Sequence, residues 1–333
     1  MKKLLTTLLV SLLVIGCILS TGCMNPGEIR IIVDMQSEWK KVSESTLDGY
    51  PQAGVILTPD MYNDSGIVQD LYTKLASNDE YILNNPSEVD ALLTQKGSTI
   101  ASSLDFTRDI LNRTNTDTIL ASTIYERLSD YYEVMGTAIP SIDMVTMPSG
   151  SISSDTSPIE IYVPDGAPAL AVASFMKEGA TLNGRAVNVT IGTGASVKTA
   201  LISGQADIVI LPTTACASLY SQGKDIKLHS VTTWGVLYLV GQEANGLNDL
   251  VGEVVYSIGR NDTPGILLRK YLDHYNIEYV ESQTPAQGKV AITYVEDAKY
   301  IIPNLKAGTI KYALMGEPAV SKVLGTVVKD ETN

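Results

Sequence analysis

Cysteine, histidine and positive charge are all scarce in this chain. Three cysteines in 333 residues support no disulfide framework: Cys17 and Cys23 lie in the N-terminal apolar region, which leaves Cys216 alone in the body. Cys216 sits in the apolar run IVILPTTACASLY and reads as a small buried side chain. The two histidines, His229 and His274, are too few for the common zinc clusters, and neither stands in an HExxH pattern, so no metal is expected. A phosphate-binding GxxxxGK[ST] loop is missing, and Gly192-Thr193-Gly194 lacks the third glycine of a dinucleotide fingerprint, so no cofactor is expected either. Ser37-Glu38-Trp39-Lys40 satisfies an SxxK pattern, but without the SDN and KTG companions it assigns no catalytic residue. A net charge of −13 argues against nucleic acid, whose phosphates demand a basic face.

What is present begins with an export signal. Lys2 and Lys3 precede LLTTLLVSLLVIGCILSTGC, an apolar core short enough to read as a secretory leader spanning residues 1–23. Each cysteine follows a glycine, as at a lipoprotein acylation site. Cleavage before Cys17 leaves apolar Ile18-Leu19 on the mature end, whereas Cys23 is followed at once by polar MNPGE, which favours Cys23 as the lipidated residue. Diacylation there supplies the two-chain anchoring that one chain cannot. The expected location is extracytoplasmic, lipid-anchored to the cell membrane; a soluble secreted protein or an uncleaved N-terminal anchor is the alternative.

The organising stretch is IEIYVPDGAPALAVASFM from Ile159. Alternation at Ile159, Ile161 and Val163 predicts a strand, and Pro164-Asp165-Gly166 turns the chain into an apolar helix running through Leu170, Val172 and Met176. Such a strand–turn–helix leaves free backbone N–H groups at the strand's carboxyl end, where open α/β sheets bind small ligands. Further strands are expected at Val187–Ile191, Ile208–Leu211, Val236–Val240, Val254–Ile258, Val290–Tyr294 and Lys311–Leu314, with helices between them such as Ser196–Ser203 and Pro264–Tyr275. That alternation predicts mostly parallel sheets covered on both faces. Ahead of it lie two lone strands, Ile29–Val33 and Ala53–Leu57, and then helices, including one over Thr118–Met135. Residues 146–158, TMPSGSISSDTSP, read as a linker.

YVPDGAPALA, TGASVKTALISGQADIVILPTTA, VTTWGVLYLVG, LNDLVGEVVYSIGRNDTPG and YVEDAKYIIPNLKAGTIKYALMGEPAV resemble the substrate-binding proteins of ABC importers, of the taurine, nitrate and thiamine-precursor type. The resemblance covers Ile159 to Leu324. IRIIVDMQSEWKKV, DGYPQAGVIL and LSDYYEVMG resemble segments that follow GEPAV in that family but stand here at the beginning, so the order resembles a circular permutation. The resemblance implies an α/β fold of two Rossmann-like lobes with a ligand cleft and hinge, the periplasmic binding protein type II arrangement in circularly permuted order. It divides the chain into 28–49 (lobe 2), 50–145 (lobe 1), the linker 146–158, 159–241 (lobe 1) and 242–328 (lobe 2). An unrelated helical domain fused ahead of a truncated binding protein is the competing reading of residues 29–145.

The expected ligand-binding loops follow. Gly166, Ala167 and Pro168 open one helix; Gly194, Ala195 and Ser196 open another, with Ser196 as its N-cap. Thr213 and Thr214 follow the strand Ile208–Leu211, and Thr232, Thr233 and Trp234 precede the next. From the other lobe come Asn261, Asp262 and Thr263 ahead of Pro264, and Glu317 after Lys311–Leu314; Tyr50 lies where the chain returns to lobe 1. Ser196 and Thr263 serve equally as helix caps, Trp234 as inter-lobe packing, Tyr50 as a hinge residue and Arg260 as a solvated surface arginine. The implied partners are a small-molecule ligand, an ABC permease with its ATPase, and the membrane through the N-terminal lipid. An enzyme on the same bilobal fold, of the thiamine-pyrimidine or menaquinone-pathway kind, and a ligand-sensing lobe for a membrane receptor are the rival functions.

Overall fold

The computed structural model describes residues 28–43, 49–296 and 298–325. The leader, Cys17, Cys23 and residues 326–328 lie outside them. Thirteen strands form two sheets among the described residues. The seven-stranded sheet contains β2 (Pro51–Leu57), β3 (Thr116–Leu120), β4 (Ile159–Pro164), β5 (Thr181–Leu182), β6 (Arg185–Gly192), β7 (Ile208–Pro212) and β8 (Lys227–Trp234), in the order β3-β8-β2-β7-β4-β6-β5. The six-stranded sheet contains β1 (Arg30–Asp34), β9 (Leu237–Gly241), β10 (Val254–Ile258), β11 (Tyr279–Glu281), β12 (Val290–Val295) and β13 (Tyr312–Gly316), in the order β1-β9-β13-β10-β12-β11. Each sheet is the centre of one lobe, so the fold is bilobal α/β.

On the first lobe lie α2 (Pro59–Tyr62), α3 (Ser65–Asn84), α4 (Pro86–Gln95), α5 (Arg108–Asn112), α6 (Tyr125–Val134), α7 (Ala167–Leu170), α8 (Gly194–Ser203) and α9 (Thr213–Ser221). With the second go α1 (Met35–Ser43), α10 (Thr263–His274), α11 (Ala298–Lys306) and α12 (Ala319–Leu324). Residues 28–145 are no separate domain: β1 pairs with β9 in the second sheet, while β2 sits between β7 and β8 in the first. The strand Leu237–Gly241 pairs with Tyr312–Gly316, so the expected first-lobe segment 159–241 ends at the crossover near Gly235 instead. Gly235 has φ +36°, in the left-handed region that favours glycine, and the Gln36 side chain packs against it.

Sheet directions place the functional edges. β4, β6 and β7 are parallel, and β2 is antiparallel to both β7 and β8, so Pro164, Gly192, Pro212 and Trp234 share one edge with the start of β2. In the second sheet β10, β12 and β13 are parallel and β9 is antiparallel to β13, which puts Ile258, Val295 and Gly316 on the edge where β9 begins. Because β8 passes into β9 through Gly235 and Val236 alone, these two edges face each other. The core does not stop at that boundary. One apolar cluster joins Ile56, Val209 and Leu228 of the first lobe to Leu239, Val255 and Leu267 of the second.

The structure corrects two local expectations. The helix read over Thr118–Met135 is an edge strand, a short 3-10 turn and then α6; Asp79 holds the strand, accepting from Thr118 N at 2.8 Å and from its Oγ1 at 3.2 Å. The helix read from Pro168 to Met176 breaks after Leu170, because fully buried Asn78 inserts its amide, donating to Leu170 O at 2.9 Å and accepting from Ser174 N at 2.8 Å. The linker is strapped along lobe 1: Ser153 N donates to Asp64, and Arg185 pairs with Asp155 at 3.0 Å.

Candidate functional site

The expected site residues fall into an exposed set and a buried set on the facing edges. Thr193, Gly194, Ala195 and Ser196 are exposed where β6 turns into α8. The N-cap is Thr193 rather than Ser196: its Oγ1 accepts from Ser196 N at 3.1 Å, while Ser196 Oγ donates to Thr193 O at 2.9 Å. A helix starts where the last extended residue turns its side chain back, and that residue precedes Gly194. Asn261 is exposed opposite, before α10, whose N-cap Asp262 makes no side-chain capping bond.

The remaining residues are enclosed. Gly166 (φ 119°) and Ala167 are buried and Pro168 half-buried under the 98–100 loop, whose Ser98 Oγ, Thr99 N and Thr99 Oγ1 donate to Asp165 at 2.6, 2.9 and 2.8 Å. Thr213 is fully buried, its Oγ1 donating to Pro51 O at 2.6 Å, so it ties α9 to the return strand; Thr214 beside it is also buried. Thr232 and Thr233 are buried with unpartnered hydroxyls at the end of β8. Trp234 donates from Nε1 to Asp117 O at 2.8 Å, and the Arg127 guanidinium lies 5.1 Å over its ring.

Two inter-lobe seams flank this edge, and the first is aromatic. Tyr50 stacks on Tyr131 with centroids 6.0 Å apart and 9° between planes, and Trp39 tilts against both at 5.4 and 5.6 Å. Tyr131 OH lies 3.3 Å from Thr263 Oγ1, so the expected residues Tyr50 and Thr263 meet through a tyrosine that sequence reasoning assigned to an ordinary helix face. Burial pushes the phenols of Tyr50 and Tyr131 well above their ordinary range, which keeps both neutral.

The second seam is polar. Glu317, buried, accepts from Arg113 Nε at 2.8 Å and from Ser321 N at 3.0 Å, and Arg113 Nη2 donates to Ser321 Oγ at 2.7 Å. Lys322 Nζ reaches Thr99 O at 3.4 Å on the same side. Arg113 stands in NRTNTDT with no periodic neighbour to mark it, and nothing in the sequence links it to Glu317, 204 positions away. Arg260, the basic residue of the expected loops, pairs with Glu281 at the surface.

Among the described residues no group of three or more His, Cys, Asp or Glu could hold a metal ion, and no helix is long and apolar enough to cross a membrane. No family model matches the chain, and no curated protein matches it. Among solved structures, the crystal structure of an ABC transporter from Parabacteroides distasonis is similar, with a TM-score of 0.42 and 28% identity over 51% of this chain. The match covers 56% of that protein, so the chain spans a little over half of its length.

Proposed function

We propose that this chain is an extracytoplasmic, lipid-anchored solute-binding protein, acylated at Cys23, that closes on a small ligand and delivers it to an ABC permease and its ATPase. The observation that carries the reading is the apposition of two sheet edges across the Gly235–Val236 crossover, with the starts of α8 and α10 exposed, one at each edge. Carboxyl-end crevices of this kind are where open α/β sheets take small molecules, and hinge closure is how two such lobes enclose them. Binding then rests on hydrogen bonds from Thr193–Ser196 and Asn261, and no covalent step is required of any residue.

We read the chain order as a circular permutation. Supporting it, the N-terminal portion is split between the two sheets, β1 in one and β2 and β3 in the other, while the ten remaining strands come from residues 159–316, as an inherited C-terminal portion would be. The test is a thermal-shift screen against sulfonates, nitrate, pyrimidines, amino acids and aromatic acids. A ligand in about hundredfold excess over its dissociation constant stabilises the protein by about 2.7 kcal/mol. A saturable shift without turnover, weakened by Ser196→Ala/Asn261→Ala, is the expected result. Consumption of the ligand would move the assignment to an enzyme on this fold.

A further inference from the structure

A cavity of about 470 Å³ lies against edge strand β3, walled by the end of α3, by α5 and α6, by Trp234 at the end of β8 and, from the second lobe, by Gln36 of α1; none of Thr193–Ser196 and Asn261 lines it. That volume lies within the roughly 300–1,000 Å³ of small-molecule sites. Ile82, Leu83, Leu111 and Ile119 give it an apolar wall. Arg127 lines it too, held in place by its contact with the Trp234 ring, and Arg127 Nε is buried without a hydrogen-bond partner. Leaving a cationic donor unpaired in a buried setting is costly, so the arrangement favours an occupant that brings an acceptor. A carboxylate matches the guanidinium fork. Asp117 lines the same cavity and is exposed, and its negative charge disfavours an occupant with a second one.

We propose that this cavity is a second binding site, separate from the Thr193–Ser196 and Asn261 loops, for a small monocarboxylate with an apolar body, its carboxylate on Arg127 and its hydrocarbon against Ile82, Leu83, Leu111 and Ile119. Gln36 belongs to the second lobe and its amide abuts Gly235, while Asn115 Nδ2 donates to Gly235 O at 3.0 Å, so an occupant here touches the crossover on which the lobes turn.

The probe is 4-methylpentanoate, titrated into the purified protein by calorimetry with tryptophan emission recorded in parallel; 3-methylbutylamine, the same hydrocarbon with the opposite charge, is the comparison. Saturable binding of the acid and none of the amine is expected. Arg127→Gln should weaken the acid about tenfold or more, Asn112→Trp should abolish binding by filling the cavity, and Ser196→Ala/Asn261→Ala should leave it unchanged. Thermal midpoints establish that each variant is folded. The proposal is overturned by absence of saturable binding to the wild type, by equal binding of acid and amine, or by unchanged binding in both Arg127→Gln and Asn112→Trp. Loss of binding confined to the Ser196/Asn261 variant would also overturn it, by assigning the acid to the gap, and would leave the solute-binding reading standing.

Discussion

The two seams between the lobes are built from opposite chemistry. On one side Trp39, Tyr50 and Tyr131 are packed ring to ring at 5.4–6.0 Å, within an apolar cluster that runs through both lobes. On the other side Arg113, Glu317 and Ser321 make a compact hydrogen-bonded ion pair, with Lys322 reaching Thr99 beside it. Opening the first would expose large apolar rings to water. Opening the second would exchange protein hydrogen bonds for water hydrogen bonds at a small net cost, provided both charges become hydrated. On the solute-binding reading, in which the lobes close by a hinge, the difference would make the aromatic seam the pivot and the polar seam the latch.

Breaking the pivot should have the largest effect. Tyr131→Ala removes a ring that touches Trp39, Tyr50 and Tyr132, and should lower unfolding free energy by about 4 kcal/mol, read from denaturant midpoints. Breaking the latch on one side strands a buried carboxylate: Arg113→Ala should cost about 3 kcal/mol, and Arg113→Ala/Glu317→Gln should recover most of it. Recovery would separate the penalty of an unpaired charge from the value of the contact itself.

Two titratable groups in lobe 1, buried His229 and half-buried Asp79, sharpen the comparison by shifting in opposite directions. His229, on β8, is held neutral by burial, its pKa lowered to about 4, with Nε2 3.0 Å from Val68 O. A depressed histidine pKa contributes stability that is present above the unfolded value near 6.5 and lost as pH falls toward 4. Unfolding free energy should therefore drop by about 2 kcal/mol between pH 7 and 4.5 from this group, and His229→Asn should flatten that slope. Burial instead raises the Asp79 carboxyl to about 6. Its charged form is disfavoured in the folded state, so this group adds stability as pH falls from about 7 toward 4. Asp79→Asn should stabilise the protein at pH 8 by about 1 kcal/mol after allowance for solvent screening.

Much of this architecture was legible in the sequence because strands with apolar alternation announce themselves; Ile159–Val163, Val254–Ile258 and Val290–Tyr294 are found within one residue of their observed limits. β8 gave no such signal. Its His229, Ser230, Thr232 and Thr233 are polar yet buried, since the strand lies between β3 and β2 under helices. Asn78 was equally silent: its amide matters only because a helix 92 positions away breaks against it. In the candidate site, the loop positions Ser196, Asn261 and Thr263 follow from strand-to-helix turns. The seams depend on side chains brought together by tertiary packing, such as Tyr131 with Thr263 and Arg113 with Glu317, and no local pattern encodes them.

The central claim, a pivot on the aromatic side and a latch on the polar side, is tested most directly by spin-label distances in the protein lacking its first 24 residues. One label pair, Ser196→Cys with Asn261→Cys, spans the gap; the other, Lys41→Cys with Glu133→Cys, spans the aromatic seam. Introducing Arg113→Ala should lengthen and broaden the first distance and leave the second unchanged. Equal lengthening of both, or no change in the first, would contradict the account.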